Sequence, residues 1–214
     1  MSTSSDDIVA LGGDLEPETL RHAYRSGVFP WPADDLPLLW FCPRERAILE
    51  FARLHVGRSL ARARRQTQLT FTVDAAFEDV ILQCAAEPRP GQDGTWITDE
   101  MLEAYIRLHD IGVAHSVEAW HGERLVGGLY GVDTDGAFSA ESMFYHEPYA
   151  SRLALLHLID RLRARGGEWI DIQVMTPHME RLGAGNITRR EFLDLLKRTR
   201  ARGLALFERA APSR

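Results

Sequence analysis

Three stretches of strand-like sequence follow one another between residues 115 and 144, and they constrain the fold more than any other feature of the chain. They span residues 115–120, 124–132 and 137–144, joined only by His121-Gly122-Glu123 and by Asp133-Thr134-Asp135-Gly136. Turns this short join antiparallel neighbours, so the three form a meander. Downstream, Ser151 is placed to cap a helix over 152–165 that Gly166-Gly167 ends, and 169–175 reads as an apolar strand interrupted only by Asp171 and Gln173. Thr188-Arg189-Arg190-Glu191 is a capping box for a helix to about residue 200, followed by a last strand over 204–208. Upstream, a basic helix over 58–66 precedes a strand over 69–73, a helix over 75–85 capped by Asp74, and a helix from Thr98 to Leu108 that Gly112 stops. From about Arg46 onward the pattern predicts a mixed α/β domain.

The first 45 residues have a different texture. A short helix over 18–26 ends at Gly27, after which Phe29, Trp31, Leu36, Leu38, Leu39, Trp40 and Phe41 alternate with Pro30, Pro32, Pro37 and Pro43. Such a stretch is too rigid for a helix and too apolar for a solvated linker. We expect it to form a small N-terminal domain, residues 1–45, lying on a larger one, residues 46–214.

The 214 residues carry 31 acids and 25 bases, a net charge of -6, unevenly spread. Residues 44–65 hold seven bases and two acids, residues 66–180 seven bases and 19 acids, and residues 181–214 nine bases and three acids. Two arginine-rich blocks around an acidic middle suit a surface that meets a polyanion at one place and a cation at another, although charge runs are also commonly solvated helix faces. Cys42 and Cys84 form neither a disulfide framework nor a zinc motif. The start lacks the pattern of a secretory leader, and no apolar run reaches membrane-spanning length. A cytoplasmic monomer is expected.

Asp171 and Gln173 stand two apart in an apolar strand, so their side chains share one face. Polar groups there need partners or solvent. Glu141, in the run Phe138 to Phe144, adds a second half-buried carboxylate. Metal ligation is poorly supported: His115 and Glu118 face opposite sides of a strand, and His146, His157 and His178 have no ligand spacing. No Gly-x-Ser-x-Gly elbow is present. A meander followed by a helix also suits an acetyltransferase, but residues 145–150 contain no glycine to cradle a cofactor pyrophosphate. No cofactor is expected.

The chain closely resembles the bacterial leucyl/phenylalanyl-tRNA-protein transferases from about residue 11 to residue 196. The matching stretches are Gly12-Gly13-Asp14-Leu15, Gly27-Val28-Phe29-Pro30-Trp31, Gly94-Thr95-Trp96-Ile97-Thr98, His115-Ser116-Val117-Glu118, Gly127-Gly128-Leu129-Tyr130-Gly131-Val132, Glu141-Ser142-Met143-Phe144, Ile170-Asp171-Ile172-Gln173 and Leu182-Gly183-Ala184. The resemblance implies an α/β (α+β) fold in which the small domain packs on an acetyltransferase-like (GNAT-like) domain with a mostly antiparallel mixed sheet. It also implies transfer of leucine or phenylalanine from leucyl- or phenylalanyl-tRNA to the α-amino group of proteins beginning with Arg or Lys, which marks them for degradation by the N-degron route. A catalytically inactive tRNA- or degron-binding module, or a transferase with another amino-acid or acceptor preference, are the other readings.

By the same resemblance, Asp171 orients Gln173, Gln173 holds the amine or ester in line, and Glu141 holds the cationic acceptor terminus. An apolar pocket would comprise Leu129, Phe138, Met143, Leu155, Leu158 and Ile170, with Trp31 nearby. Phe138 and Met143 are five apart, so sharing a pocket demands a bulge between them. Tyr24, Trp96 and Tyr105 would lie near the terminal adenosine, where a ring can stack. Arg58, Arg62 and Arg65, on one side of a helix, would hold tRNA phosphates. Cys42, Arg44, Glu45, Ala140, Tyr145, Ile172 and Arg181 depart from residues common in the family.

Overall fold

The computed structural model describes residues 5–32, 36–87 and 97–208. In chain order the strands are β1 (Ile8–Leu11), β2 (Phe29–Trp31), β3 (Leu39–Phe41), β4 (Glu45–Glu50), β5 (Thr70–Val73), β6 (Ala114–His121), β7 (Arg124–Thr134), β8 (Ala137–Tyr145), β9 (Trp169–Gln173) and β10 (Gly185–Thr188). The helices are α1 (Pro17–Arg25), α2 (Arg58–Gln66), α3 (Phe77–Ala86), α4 (Asp99–Asp110), α5 (Ala150–Ala164), α6 (Pro177–Arg181) and α7 (Arg189–Ala201). The fold is mixed α/β.

The meander forms as predicted, as β6, β7 and β8, at the heart of a seven-stranded sheet ordered β10-β4-β9-β8-β7-β6-β5. Every neighbouring pair is antiparallel except β8 and β9, which the crossover through α5 makes parallel. That parallel pairing is brief. Phe138 faces Ile170 and Ser139 faces Asp171, and no further residues pair. Beyond this point β8 bulges, its register against β7 jumping from Tyr130↔Ser142 to Gly131↔Ala140 and leaving Glu141 as the extra residue. The bulge required between Phe138 and Met143 is therefore present, and it falls on Glu141. Gly131 makes room for it, since a Cβ there would sit 2.2 Å from the Ser139 carbonyl oxygen. On the other strand, Gln173 adopts φ 62, which ends β9.

Helix α5 covers one face of the sheet, its Leu155, Leu158 and Ile159 buried with Leu129, Phe138, Ile170 and Ile172. The opposite face carries α3 and α4, whose Val80, Met101 and Tyr105 share a core with Tyr24, Phe29 and Trp40 from the first 45 residues. Helix α7 packs on the same face through Phe192 and Leu196 against Ile48 and Trp169. The proline-rich stretch is not loop throughout: β2 and β3 lie within it and pair with β1 as a sheet ordered β1-β3-β2.

Three local expectations are corrected. Residues 204–208 form no strand, although Leu206 and Phe207 are buried and Phe207 stacks on His115 at 3.8 Å. Asp74 does not cap α3. It has φ 59, and its carboxylate instead accepts from the Ser116 backbone N–H at 2.9 Å and contacts His115 Nδ1 at 2.8 Å, so the helix starts two residues later after Ala76. Ser151 lies inside α5, whose N-cap is Tyr149 at φ 70.

Candidate active site

Where β8 and β9 part, a cavity of about 420 Å³ opens, walled by Leu129, Ala140, Met143, Ile172, Val174 and Met179. Glu141 and Ser142 of the bulge line it as well, with Glu87, Tyr145, Ser151, Arg152, Thr176 and His178 completing the wall. Of the expected pocket residues, Leu129 and Met143 line it. Phe138, Leu155, Leu158 and Ile170 are at most 1% exposed and pack in the core that contains Leu129 and has Met143 packed against it. Trp31 lies in β2 against Phe29 and Phe41, away from the cavity wall.

The three expected catalytic residues come together. Gln173 Nε2 donates to Glu141 Oε1 at 2.7 Å, and the Gln173 backbone N–H donates to Asp171 Oδ1 at 2.8 Å. Asp171 therefore orients Gln173 through its main chain, holding the residue in the left-handed conformation that aims its amide at Glu141. Tyr24 Oη donates to the same Glu141 oxygen at 2.8 Å, and the Tyr24 and Tyr105 hydroxyls hydrogen-bond each other. The result is a hydrogen-bonded chain Tyr105, Tyr24, Glu141, Gln173.

Burial sets the protonation behaviour of this chain. It pushes the Glu141 carboxyl up to about 8, and the negative charge of Asp171 adds to the rise, while the Tyr24 hydrogen bond opposes it. Both tyrosine hydroxyls are raised well above their ordinary range, mainly by burial and then by Glu141. Near neutral pH, Glu141 can therefore exist with or without its proton, the property wanted in a group that exchanges one with an amine. The stacking expected of Tyr24 and Tyr105 finds no open ring face, because they are 3% and 0% exposed and lie edge to face with each other. Their contribution is through the hydroxyls. Trp96 lies outside the described residues.

Arg46 and Ser139 were not foreseen. The Arg46 guanidinium grips both oxygens of Asp171 while lying over the rings of Phe29 and Phe192, 4.6 and 4.5 Å from their centres. Ser139 Oγ donates to Asp171 Oδ2 at 2.9 Å. Asp171 thus has every lone-pair direction engaged, which is how a carboxylate survives at 1% exposure. The sequence carries no local signal for either: Arg46 directly precedes the apolar run Ala47-Ile48-Leu49 but stands among other cations.

On the other side of the sheet, Arg58, Arg62 and Arg65 are exposed on α2. Arg58 and Arg62 line a separate groove of about 470 Å³, and Arg62 Nε donates to Gln66 at 3.0 Å. Among the described residues, no group of three or more His, Cys, Asp or Glu side chains converges as a metal would require, and no helix is long and apolar enough to cross a membrane.

A cavity with apolar walls, lined by a carboxylate that a buried amide hydrogen-bonds and set where two parallel strands separate, is the kind of site an acyl-group transferase uses to seat an apolar acyl group beside an attacking group. Comparison with known proteins carries this to a family. Residues 48–197 match the model of the leucyl/phenylalanyl-tRNA protein transferase family, and residues 13–44 match the model of that family's N-terminal domain. The leucyl/phenylalanyl-tRNA–protein transferase of Anaeromyxobacter sp. (strain Fw109-5) is 52% identical over 193 residues, 90% of this chain and 82% of that protein. The protein of the same name from Myxococcus xanthus (strain DK1622) is 49% identical over 191 residues, 89% of this chain and 82% of that one. The chain belongs to the leucyl/phenylalanyl-tRNA protein transferase family and is an aminoacyltransferase.

Proposed function

We propose that the protein moves leucine or phenylalanine from leucyl- or phenylalanyl-tRNA to the α-amino group of proteins that begin with Arg or Lys, committing them to degradation, and that it works in the cytoplasm as a monomer without a cofactor. The observation that carries this reading is an apolar-walled cavity lined by Glu141, which Gln173 hydrogen-bonds and Asp171 supports through the Gln173 backbone, with room for a large aliphatic or aromatic side chain. The relatives' names supply the donor and acceptor classes.

In this mechanism the amino-acid side chain sits between Leu129, Met143 and Ile172, placing its ester near the Gln173 amide. An aminoacyl ester is already activated, and an α-amino group with a reference pKa of about 7.7 to 8.0 keeps an appreciable neutral fraction near pH 7 although most of it is protonated. The enzyme's main task is then to hold amine and ester in line. Glu141 faces the incoming α-ammonium group, and the Tyr24 and Tyr105 hydroxyls behind it share the charge. The early separation of β8 and β9 supports an acetyltransferase-like scaffold for the domain beginning near residue 46, with residues 1–45 as the small domain packed on it.

Incubating the protein with charged leucyl-tRNA and peptides led by Arg, Lys, Asp or Ala tests this directly. Transfer to the Arg and Lys peptides is expected. Transfer to the Asp peptide alone would point to a different acceptor preference, and transfer to none, with tRNA still bound, to a non-catalytic module.

A further inference from the structure

The groove along α2 and the apolar cavity are separate, but one pair of side chains joins them. Tyr149, half-buried against the core, lines the groove together with Arg58, Arg62 and Gln66. Arg152, one turn further along, lines the apolar cavity, and its guanidinium lies 5.5 Å from the centre of the Tyr149 ring. The pair therefore links the lining of the groove to the lining of the cavity.

Glu87 and Glu141 share the cavity wall with Arg152, but the arginines of the groove and of this pair are not ion-paired with them. Arg64 is turned away to Asp160 on α5, whereas Arg62 meets only the neutral Gln66. Among the described residues, no carboxylate lies within ion-pair distance of Arg58, Arg62 or Arg152. At the cavity wall, burial first and then the charges of Arg152 and Arg181 hold the His178 pKa below its ordinary value. Tyr149 itself sits at φ 70, where glycine or asparagine would be at ease and a bulky side chain is costly. The backbone there does not call for an aromatic residue, so the ring is what tyrosine adds.

An aromatic platform flanked by unpaired arginines is the composition that binds single-stranded nucleic acid without reading its sequence. An acceptor polypeptide beginning with Arg or Lys would be repelled by the same arginines. We propose that Tyr149 and Arg152 form a binding site for the unpaired 3′ end of the tRNA, just ahead of its aminoacylated nucleotide, with Tyr149 stacking on a base and Arg152 pairing with a backbone phosphate. This rests on the aminoacyl-tRNA reading above. It adds a second contact region, between the arginines of α2 and the cavity, and makes the path of the strand continuous.

The test compares two non-hydrolysable probes, a 3′-aminoacylamido-adenosine and the trinucleotide that ends in it, on wild type, Tyr149→Asn and Arg152→Gln. Asparagine is chosen because it tolerates the left-handed backbone, so the variant keeps its fold. Each change should weaken the trinucleotide about tenfold and the single nucleotide less than about twofold. Arg152→Gln should also lower the log-log salt slope of trinucleotide binding by about 0.7, and Tyr149→Asn should leave that slope alone. Equal losses for both probes, or none, would overturn the site. A raised KM for the acceptor peptide with unchanged trinucleotide affinity would overturn it too, placing the polypeptide in the groove. If wild type transfers no amino acid yet shows these probe and salt dependences, the proposed reaction fails and the nucleic-acid site stands. If wild type transfers normally and both variants bind as wild type does, only the site fails.

Discussion

Arg46 and Asp171, 125 residues apart in the chain, meet in a two-point ion pair, Nε to Oδ1 at 2.8 Å and Nη2 to Oδ2 at 2.6 Å, with neither side chain more than 2% exposed. The pair fixes the end of β9 and, through the Gln173 backbone, the residue whose amide holds Glu141 at the cavity wall. Arg46→Met strands a buried carboxylate and should cost about 3 to 5 kcal/mol. The double variant Arg46→Met, Asp171→Leu removes both charges and should regain most of that in urea unfolding. It should not regain transfer activity, because nothing then holds the Gln173 N–H. With Asp171→Leu measured alongside, a double variant whose loss equals the sum of the two single losses would mean that the two residues are not energetically coupled.

Glu141 gives a pH signature with a definite sign. Its folded pKa of about 8 lies above the ordinary carboxyl value of 4.5, so between those limits the folded protein keeps a proton that the unfolded chain has released. This group therefore subtracts stability as pH rises from about 4.5 towards 8, and its contribution is flat above that. Glu141→Gln cannot titrate. Thermal unfolding from pH 5 to 9 should show the variant gaining on wild type across that window, and parallel curves would contradict the placement.

Gly131 permits the bulge that presents Glu141. In Gly131→Ala, the new Cβ would meet the Ser139 carbonyl oxygen at 2.2 Å and the Phe138 ring at 2.6 Å, backbone and core that cannot yield cheaply. We expect a loss of about 1 to 3 kcal/mol, as for overpacked cores. Transfer should fall further than the folded fraction does, because the bulge is displaced. Urea unfolding and single-turnover transfer on the same preparation separate the two effects.

Cavity width sets amino-acid preference. Leu129→Phe narrows the wall and should lower kcat/KM for phenylalanyl-tRNA about tenfold relative to leucyl-tRNA, the discrimination that a few methylene-sized volumes can give. Competition between the two charged tRNAs measures the ratio, and an unchanged ratio would place the amino acid elsewhere.

The meander, the basic helix and the capping box at Thr188 were legible because each is a local pattern: alternation, a run of arginines, a Thr and a Glu three apart. The bulge was legible by a longer argument, from two residues that the resemblance assigns to one pocket but that stand an odd number apart. What escaped had no local signature. The strands β2 and β3 are three residues long, too short for a period to show among prolines. Residues 204–208 have the apolar alternation of a strand, yet Leu206 and Phe207 find their burial without pairing. Arg46 reads as one more cation in a basic stretch, and only the register of β4 against β9, with Ile48 facing Asp171, shows why it is there. Removing Asp171 leaves Arg46 unpaired, so stability and chemistry are entangled at that residue.

Gln173 is free of that entanglement, and it tests the central claim most directly. Gln173→Asn keeps the left-handed backbone at low cost and keeps an amide, but draws it back by one methylene from Glu141. The decisive measurement is single-turnover transfer of leucine from charged tRNA to an Arg-led peptide, taken beside the melting temperature of the same sample. The account predicts a rate lower by about 100-fold, the scale of losing one aligned hydrogen-bond donor at a reacting centre, with aminoacyl-tRNA affinity and melting temperature close to wild type. A normal transfer rate in a folded, tRNA-binding variant would remove Gln173 from the chemistry.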